Sequence, residues 1–412
     1  MSGATTAGVV DTVPALRFPE FEGAAIQKTR FEDIFEFSGG KNIKQDEASP
    51  EFETPCVRYG ELYHMYSEVI SQVINRTNLD EADLHFSTGD EILLPSAGED
   101  PWDIGSASAL TVPNVAIGRT INILRPKLEN QYSQIFASYY INTVLRVPIF
   151  KLARGSSISN VYNSDLKKLA IGLPSYNEQT KIAAFLGVVD AKLTALRERV
   201  ALLERYKRGL MQALFSQSLR FTKPDGTAFP DWEEKRLGDY LQLSKIRVPS
   251  QTELPVYSSS RTGLKPQKDY FSDRELSNEG EYGVVPDGFI TYRHMSDDLT
   301  FKFNLNNLGY DIVVSKEYPV FSTVNMDIRY LLAWLNNSPD FARFAVMQKM
   351  GGTRTRLYFK TLEKWKVFLP NPDEQQKIAD ALSAMDAKIA AVADQVARME
   401  QFKKGLLQQM FV

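Results

Sequence analysis

The chain has 412 residues, and its 48 Lys and Arg against 51 Asp and Glu leave a formal net charge of −3. That balance excludes a protein coated in basic surface, so a nucleic-acid partner would have to be met by a local patch or through another subunit. A single cysteine, Cys56, excludes an intrachain disulfide framework and any CxxC metal site; with no secretory signal and no apolar run near the ~18 residues of a membrane span, the chain is expected in the cytoplasm.

In chain order, residues 1–30 form a lead segment that carries VPALRFPEFEGAAIQKTR. Residues 31–173 read as a mixed α/β body. Its strand-like runs TPCVRYGELY, GDEILLPSA and AIGRTINILRP are separated by Gly, Pro and Asp turns, and a helical stretch follows around Gln131 to Thr143. Residues 174–216 read as one long helix. Its apolar positions Ile182, Leu186, Val189, Leu193, Leu196, Val200, Leu203, Leu210 and Leu214 alternate spacings of four and three, a coiled-coil seam with one gap at Lys207. A second lead (217–236) and a second α/β body (237–369) follow. That body carries the runs ELPVYSSS, YGVVPDGFITYRHMS, YDIVVSK and YPVFSTV and a helix near Ile328 to Asn336. Residues 370–412 form a second long helix, with the seam Ile378, Leu382, Met385, Ile389, Val392, Val396, Met399, Leu406 and Met410 and its gap at Lys403. A lysine in such a seam either fixes register at some cost in stability or snorkels to the edge and sets nothing.

The two helices are one sequence written twice. Pro174–Phe215 aligns without a gap on Pro370–Phe411, and by direct count 19 of the 42 pairs are identical, among them Glu178/Glu374, Gln179/Gln375, Lys181/Lys377, Asp190/Asp386, Lys207/Lys403 and Gly209/Gly405. Each copy opens with a capping signature, Ser175 before Glu178 and Asn371 before Glu374, and Pro372 stands at a first helical position. Some 40 residues of helix span roughly 60 Å. The leads recur as well, Leu16-Arg17-Phe18 answering Leu219-Arg220-Phe221, whereas the bodies have diverged. Equal frames with unlike bodies imply one architecture with two recognition surfaces.

No catalytic constellation emerges. There is no phosphate-binding GxxxxGK loop, no HExxH and no GxSxG, and His64, His85 and His294 are scattered. Pro224-Asp225 with Glu233-Glu234-Lys235 loosely fits a nuclease pattern, but the lead repeat explains the same residues. The bodies instead offer loops rich in Arg, hydroxyls and aromatics, groups that fork onto guanine or bind phosphates. They give Arg58, Tyr59, Tyr63, Arg154, Ser156 and Ser157 in the first body as DNA-contact candidates. The second contributes Ser259, Arg261, Tyr292, Arg293, Arg354, Thr355 and Arg356. Composition alone leaves a protein-binding coiled-coil scaffold and a stand-alone DNA-binding regulator open.

The LPxxxEQxKIA helix openings (Leu173–Ala183, Leu369–Ala379), the KxGLxQxxF closings (Lys207–Phe215, Lys403–Phe411), the LRF leads and VRYGELY together resemble the specificity subunit of a type I restriction–modification enzyme. The resemblance covers nearly the whole chain. It implies two α/β target-recognition domains, each reading one half of a split double-stranded DNA sequence, joined by two long antiparallel coiled-coil helices with pseudo-twofold symmetry. It further implies two methyltransferase subunits and motor-nuclease subunits as partners, with S-adenosylmethionine, ATP and Mg on those partners and no cofactor or catalysis in this chain. Glu178, Gln179, Lys181, Ile182, Lys207, Gly209 and their repeats Glu374, Gln375, Lys377, Ile378, Lys403 and Gly405 are then expected at the spacer-helix and subunit interface. Where the second lead has Asp231-Trp232-Glu233 the first has Ala24-Ala25-Ile26, so the first is expected to dock differently.

If the helices space the half-sites, one heptad inserted after Leu196 and another after Val392 keep the seam in phase and add about 10 Å, equivalent to roughly 3 base pairs. Sequencing methylated DNA from cells carrying that variant should show both half-sequences retained and a wider spacer. An active variant with an unchanged spacer would show that the helices do not set the distance.

Overall fold

The computed structural model describes residues 8–9, 13–155, 157–270, 280–349 and 354–412. The chain forms two compact units, Met1–Leu196 with Gln395–Val412, and Arg197–Asp394. Four helices organise them: α1 (Gln134–Tyr140), α2 (Tyr176–Phe215, 40 residues), α3 (Ile328–Asn337) and α4 (Pro372–Met410, 39 residues). Both long helices contribute to both units. In the first unit Ile182, Leu186 and Val189 of the α2 opening share a core with Leu406 and Met410 of the α4 closing. In the second, Met211 and Leu214 of the α2 closing share one with Ile378 and Leu382 of the α4 opening. The pairing is therefore antiparallel in each. Every seam position is buried or half-buried, while Val188, Leu202, Tyr206 and Phe402 beside the seam are exposed. No helix among the described residues is long and apolar enough to cross a membrane.

The same frame holds each body. In the first unit Gln27–Arg30 pairs antiparallel with Ala170–Leu173, the strand that leads into α2. In the second, Glu233–Arg236 pairs in the equivalent register with Lys366–Leu369, the strand that leads into α4. The Leu16 N–H donates to the Gln409 carbonyl near the end of α4 (3.0 Å), and the Leu219 N–H donates to the Ala213 carbonyl near the end of α2 (3.1 Å). These carbonyls lie in the last turn of their helix, where acceptors lack intrahelical partners. The closing aromatics plug the bodies. Phe411 packs on Phe136 and Tyr140 (centroids 5.3 and 5.9 Å), and Phe215 on Tyr330 (6.3 Å).

Only half of each expected capping box forms. Ser175 Oγ accepts from the Glu178 N–H (3.3 Å), and Asn371 Oδ1 from the Glu374 N–H (2.9 Å). The glutamate side chains do not return to the cap. Arg17 holds Glu178 through two bonds (2.7 and 2.6 Å), and Arg220 holds Glu374 the same way (3.1 and 2.9 Å). A bidentate guanidinium is a stronger partner for a carboxylate than one backbone N–H. Both leads therefore dock through the same pair, contrary to the expectation from Ala24-Ala25-Ile26. The difference is local: the Trp232 indole adds a bond to Glu374 (3.2 Å), and the third guanidinium nitrogen donates to the Ala24 carbonyl from Arg17 (2.7 Å) but to Asp231 from Arg220 (3.3 Å).

The first body is built on a five-stranded sheet ordered Phe35–Gly39, Ile121–Pro126, Glu91–Pro95, Ser108–Leu110, Val69–Ile70, antiparallel except for the last pair. Ile92 and Leu94 face the helices, and Leu93 faces a second cluster with Val57, Leu62 and Ile123. Burial on both faces explains the unbroken apolar run at these positions. VRYGELY is not one strand: Thr54–Val57 is extended, but Glu61–His64 turns helical. Buried Glu61 accepts from Arg58 Nε (2.8 Å) and Asn75 Nδ2 (2.9 Å), which curls the chain back. The second body carries a four-stranded antiparallel sheet ordered Leu241–Ser244, Val320–Thr323, Ile290–Tyr292, Phe303–Leu305, and a three-stranded one ordered Arg247–Pro249, Glu281–Val285, Ile312–Ser315. An additional helix, Pro339–Met347, starts on the Ser338 cap with Pro at its first position.

Both seam lysines end on the aspartate of the opposite long helix, in positions related by the repeat. Lys207 bonds Asp386, and Lys403 bonds Asp190 (2.7 Å). A snorkelling lysine would end in water. The surroundings differ. Lys403 is 15% exposed and also bonds Glu68 (3.1 Å), while Tyr139 donates to Asp190; Asp386 is 60% exposed. Lys403→Leu should therefore strand two partly buried carboxylates and cost about 1–3 kcal/mol in urea unfolding, whereas Lys207→Leu should leave stability within about 0.5 kcal/mol or raise it. Equal effects would show that the carboxylate surroundings do not distinguish the two sites.

Candidate nucleic-acid interface

In the second body, alternation sorts the paired-arginine segment. From Arg354 to Lys360, Arg354, Arg356, Tyr358 and Lys360 are exposed, and Thr355, Leu357 and Phe359 are buried. Thr355–Arg356 is a short strand paired antiparallel with Met295–Ser296, which turns Thr355 inward and Arg356 outward, and a helix begins at Phe359. The ladder lies beside a recess of about 260 Å³ lined by Ser259, Arg261, Arg293, Ser296, Asp297 and Lys302 among others. Arg261 pairs with Asp298 (2.7 Å) and Arg354 with Asp297 (2.8 Å). Among the described residues neither Arg293 nor Arg356 forms an ion pair, so both exposed guanidiniums are available to a ligand. Burial, with the charge of Lys207 adding to it, lowers the Lys302 pKa. The recess thus gathers cations, hydroxyls and the Asp297 carboxylate at one surface, a donor-rich set suited to phosphates and base edges.

Not every predicted contact reaches that surface. Tyr292 is fully buried, its ring 4.6 Å from Phe303 and its hydroxyl donating to the Leu357 carbonyl (3.0 Å). It lies on a central strand of the four-stranded sheet, which turns it into the core. Thr355 is also buried, and Ser259, at the floor of the recess, is buried with its hydroxyl occupied by a bond from Asn304 Nδ2 (2.8 Å). Sequence reading missed Lys302, Asp297 and Asp298. Asp297 and Asp298 carry the wrong charge for a DNA contact, and Lys302 stands between Phe301 and Phe303, two core aromatics that mark its segment as a buried strand.

In the first body, Arg58 is 22% exposed and tied to Glu61, whereas Tyr59 is exposed with its ring 6.4 Å from that of Tyr63. Tyr63 is half-buried, and burial raises its pKa. Arg154 is exposed and pairs with Asp165 (3.1 Å), Ser157 is exposed, and Ser156 lies outside the described residues. Gly155 has φ +135°, and a Cβ there would meet the Ile158 carbonyl oxygen at 2.0 Å, so only glycine fits that turn.

The helix-opening residues face inward. Glu178, Gln179, Glu374 and Gln375 are each 2% exposed or less. Gln179 Oε1 accepts from the Ser133 N–H (2.8 Å) at the cap of α1, and Gln375 Oε1 from the Asp327 N–H (3.2 Å) at the cap of α3. Ile182 and Ile378 are core. Lys181 bonds Glu20 and lies over the Phe18 ring (4.4 Å); Lys377 bonds the Thr222 carbonyl (2.6 Å). Gly209 and Gly405 have open space where a Cβ would stand.

Arg293→Ala and Arg356→Ala should each leave the melting temperature unchanged and, for a phosphate contact, reduce the salt slope of DNA binding by about one. Tyr292→Ala should instead cost roughly 3–5 kcal/mol of stability, through the cavity it leaves. Binding titrations across salt concentrations, with thermal melts alongside, separate the two behaviours; unchanged DNA binding in both arginine variants would remove this face from the site.

The profile of the family described as type I restriction modification DNA specificity domain matches residues 25–205 and 230–401. The chain is 24% identical over 321 residues to a Methanocaldococcus jannaschii protein assigned as the MjaX type I restriction enzyme specificity subunit, covering 70% of each chain. It is 21% identical over 339 residues to the MjaVIII type I restriction enzyme specificity subunit of the same organism, covering 74% of this chain and 76% of that one. The fold is similar to the crystal structure of a type I restriction–modification S subunit from M. genitalium, with a TM-score of 0.60 at 17% identity, covering 97% of this chain and 99% of that one.

Proposed function

The chain belongs to the type I restriction–modification DNA specificity family, and from that premise we propose that its two units each read one half of a split double-stranded DNA target. The observation that carries this reading is one frame holding two unlike bodies. The Arg17–Glu178 and Arg220–Glu374 pairs and the matching lead strands are the same, while the bodies they hold differ in sheet order and in surface. The second body presents an arginine-bearing recess, and the first presents Tyr59, Arg154 and Ser157. Phosphate contacts to such groups set position on the duplex, and contacts to base edges set sequence.

In this reading the chain supplies recognition and no chemistry. Two methyltransferase subunits, carrying S-adenosylmethionine, methylate adenine N6 at the site the chain selects. Motor-nuclease subunits, using ATP and Mg, complete the restriction enzyme. The complex acts on DNA in the cytoplasm.

Gel shifts with and without a co-expressed methyltransferase partner, together with sequencing of methylated DNA from the same cells, test this. Partner-dependent binding and a methylated motif in two separated halves are expected. Tight sequence-specific binding by the chain alone would favour a stand-alone regulator, and no DNA binding in either condition a protein scaffold.

A further inference from the structure

The Asp297–Arg354 pair stands where the backbone register puts it. Met295 faces Arg356 and Ser296 faces Thr355 across the two-stranded ladder, so the next position outward sets Asp297 opposite Arg354. The carboxylate takes Arg354 Nε at 2.8 Å. The next residue, Asp298, is held on its own turn by Ser296 Oγ (3.0 Å) and the Thr300 N–H (3.1 Å), with Leu299 in the left-handed region at φ +67°. Asp298 in turn holds Arg261. The aspartates are thus anchored from the strand on one side and by a hydrogen-bonded turn on the other.

With Nε occupied, Arg354 presents its two terminal nitrogens as an end-on fork, the geometry that matches guanine O6 and N7. A phosphate on the same guanidinium would be repelled by the adjacent carboxylate, whereas a base edge is neutral and tolerates it. Arg356 and Arg293, without carboxylate partners among the described residues, lack that bias and suit phosphates. We propose that Arg354 reads a guanine in one half of the DNA target and that Asp297 is the positioning residue that holds its fork for that base. This rests on the reading of the second unit as a DNA-recognition unit.

The test uses the complex of full-length chain with its methyltransferase subunits, comparing Arg354→Ala, Asp297→Ala and Asp297→Asn by sequencing of methylated DNA and by binding to matched and mismatched duplexes. Arg354→Ala should relax one G·C position, with discrimination there falling roughly 5- to 150-fold. Asp297→Ala should relax the same position while affinity for non-specific DNA holds or rises, because a negative charge has left the surface. Asp297→Asn, which keeps the accepting oxygen, should retain most of the discrimination. Both side chains of the pair are exposed, so the melting temperatures of all three variants should match the parent. An unchanged motif in Asp297→Ala, or Asp297→Asn behaving like Asp297→Ala, would overturn the positioning role. Uniform weakening of all sequences by Arg354→Ala, with a smaller salt slope, would make Arg354 a phosphate contact and overturn the proposal while leaving DNA recognition by the second unit intact. Absence of any methylated motif from the parent complex would instead strike the recognition reading itself.

Discussion

A carboxylate buried at the start of each long helix is the constraint on which the rest depends. Glu178 and Glu374 are each 1% exposed, and each is held by the arginine of an LRF lead. Removing one partner of such a pair leaves an uncompensated charge in the interior, which typically costs about 3–5 kcal/mol. The neighbouring glutamine works in the other direction. It accepts from the backbone N–H of the residue that caps the body helix and donates to the Pro174 or Pro370 carbonyl just before its own helix. The dipeptide Glu-Gln thus joins three things at one point: lead, helix opening and body. The leucine N–H of the lead adds a fourth, the closing turn of a long helix.

With the junction fixed, the bodies are free to differ. The first hangs a five-stranded, mostly antiparallel sheet on it, and the second a four-stranded and a three-stranded one. What must be retained is narrow: the two frame strands, the capped helix that meets the glutamine, and a pocket for the closing phenylalanine. Everything facing away from the junction can carry whatever surface a target demands. The arginine-lined recess of the second body is one such surface.

The frame was legible in the sequence because it is repeated and because its chemistry is local. Capping residues, a heptad seam and the leads can be read from spacing, and the structure places the seam where the periodicity put it. The Arg–Glu pairs were not legible, since Arg17 and Glu178 are joined only by folding. Glu178 read as the partner of a capping box, and a stronger donor took it. The recognition surface was the least legible part. Tyr292 and Arg293 are adjacent and equally plausible as text; the central strand Ile290–Tyr292 is buried along its whole length, and the chain leaves it at Arg293. Asp297 attracted no notice because an acidic residue looks wrong beside DNA until its arginine is seen. Gly209 and Gly405 have no physical account within the chain. Each sits in a helix interior at a cost of about 1 kcal/mol relative to alanine, with no neighbour close enough to require it.

The division between the units falls inside the long helices, after Leu196 and again after Asp394, and not in a linker. Most two-unit chains are joined by segments whose melting costs neither side anything. Here each helix is continuous hydrogen-bonded backbone that both cores have helped to order. Losing either core deprives both helices of half their apolar partners, and a bare helix of some twenty residues is marginal in water. The remaining core would then keep only the stubs it packs directly. Cooperativity is therefore transmitted along the helix backbone itself. Heat or denaturant should take the two halves together, so that the equilibrium unit of folding is the whole chain although its architecture is a duplicate.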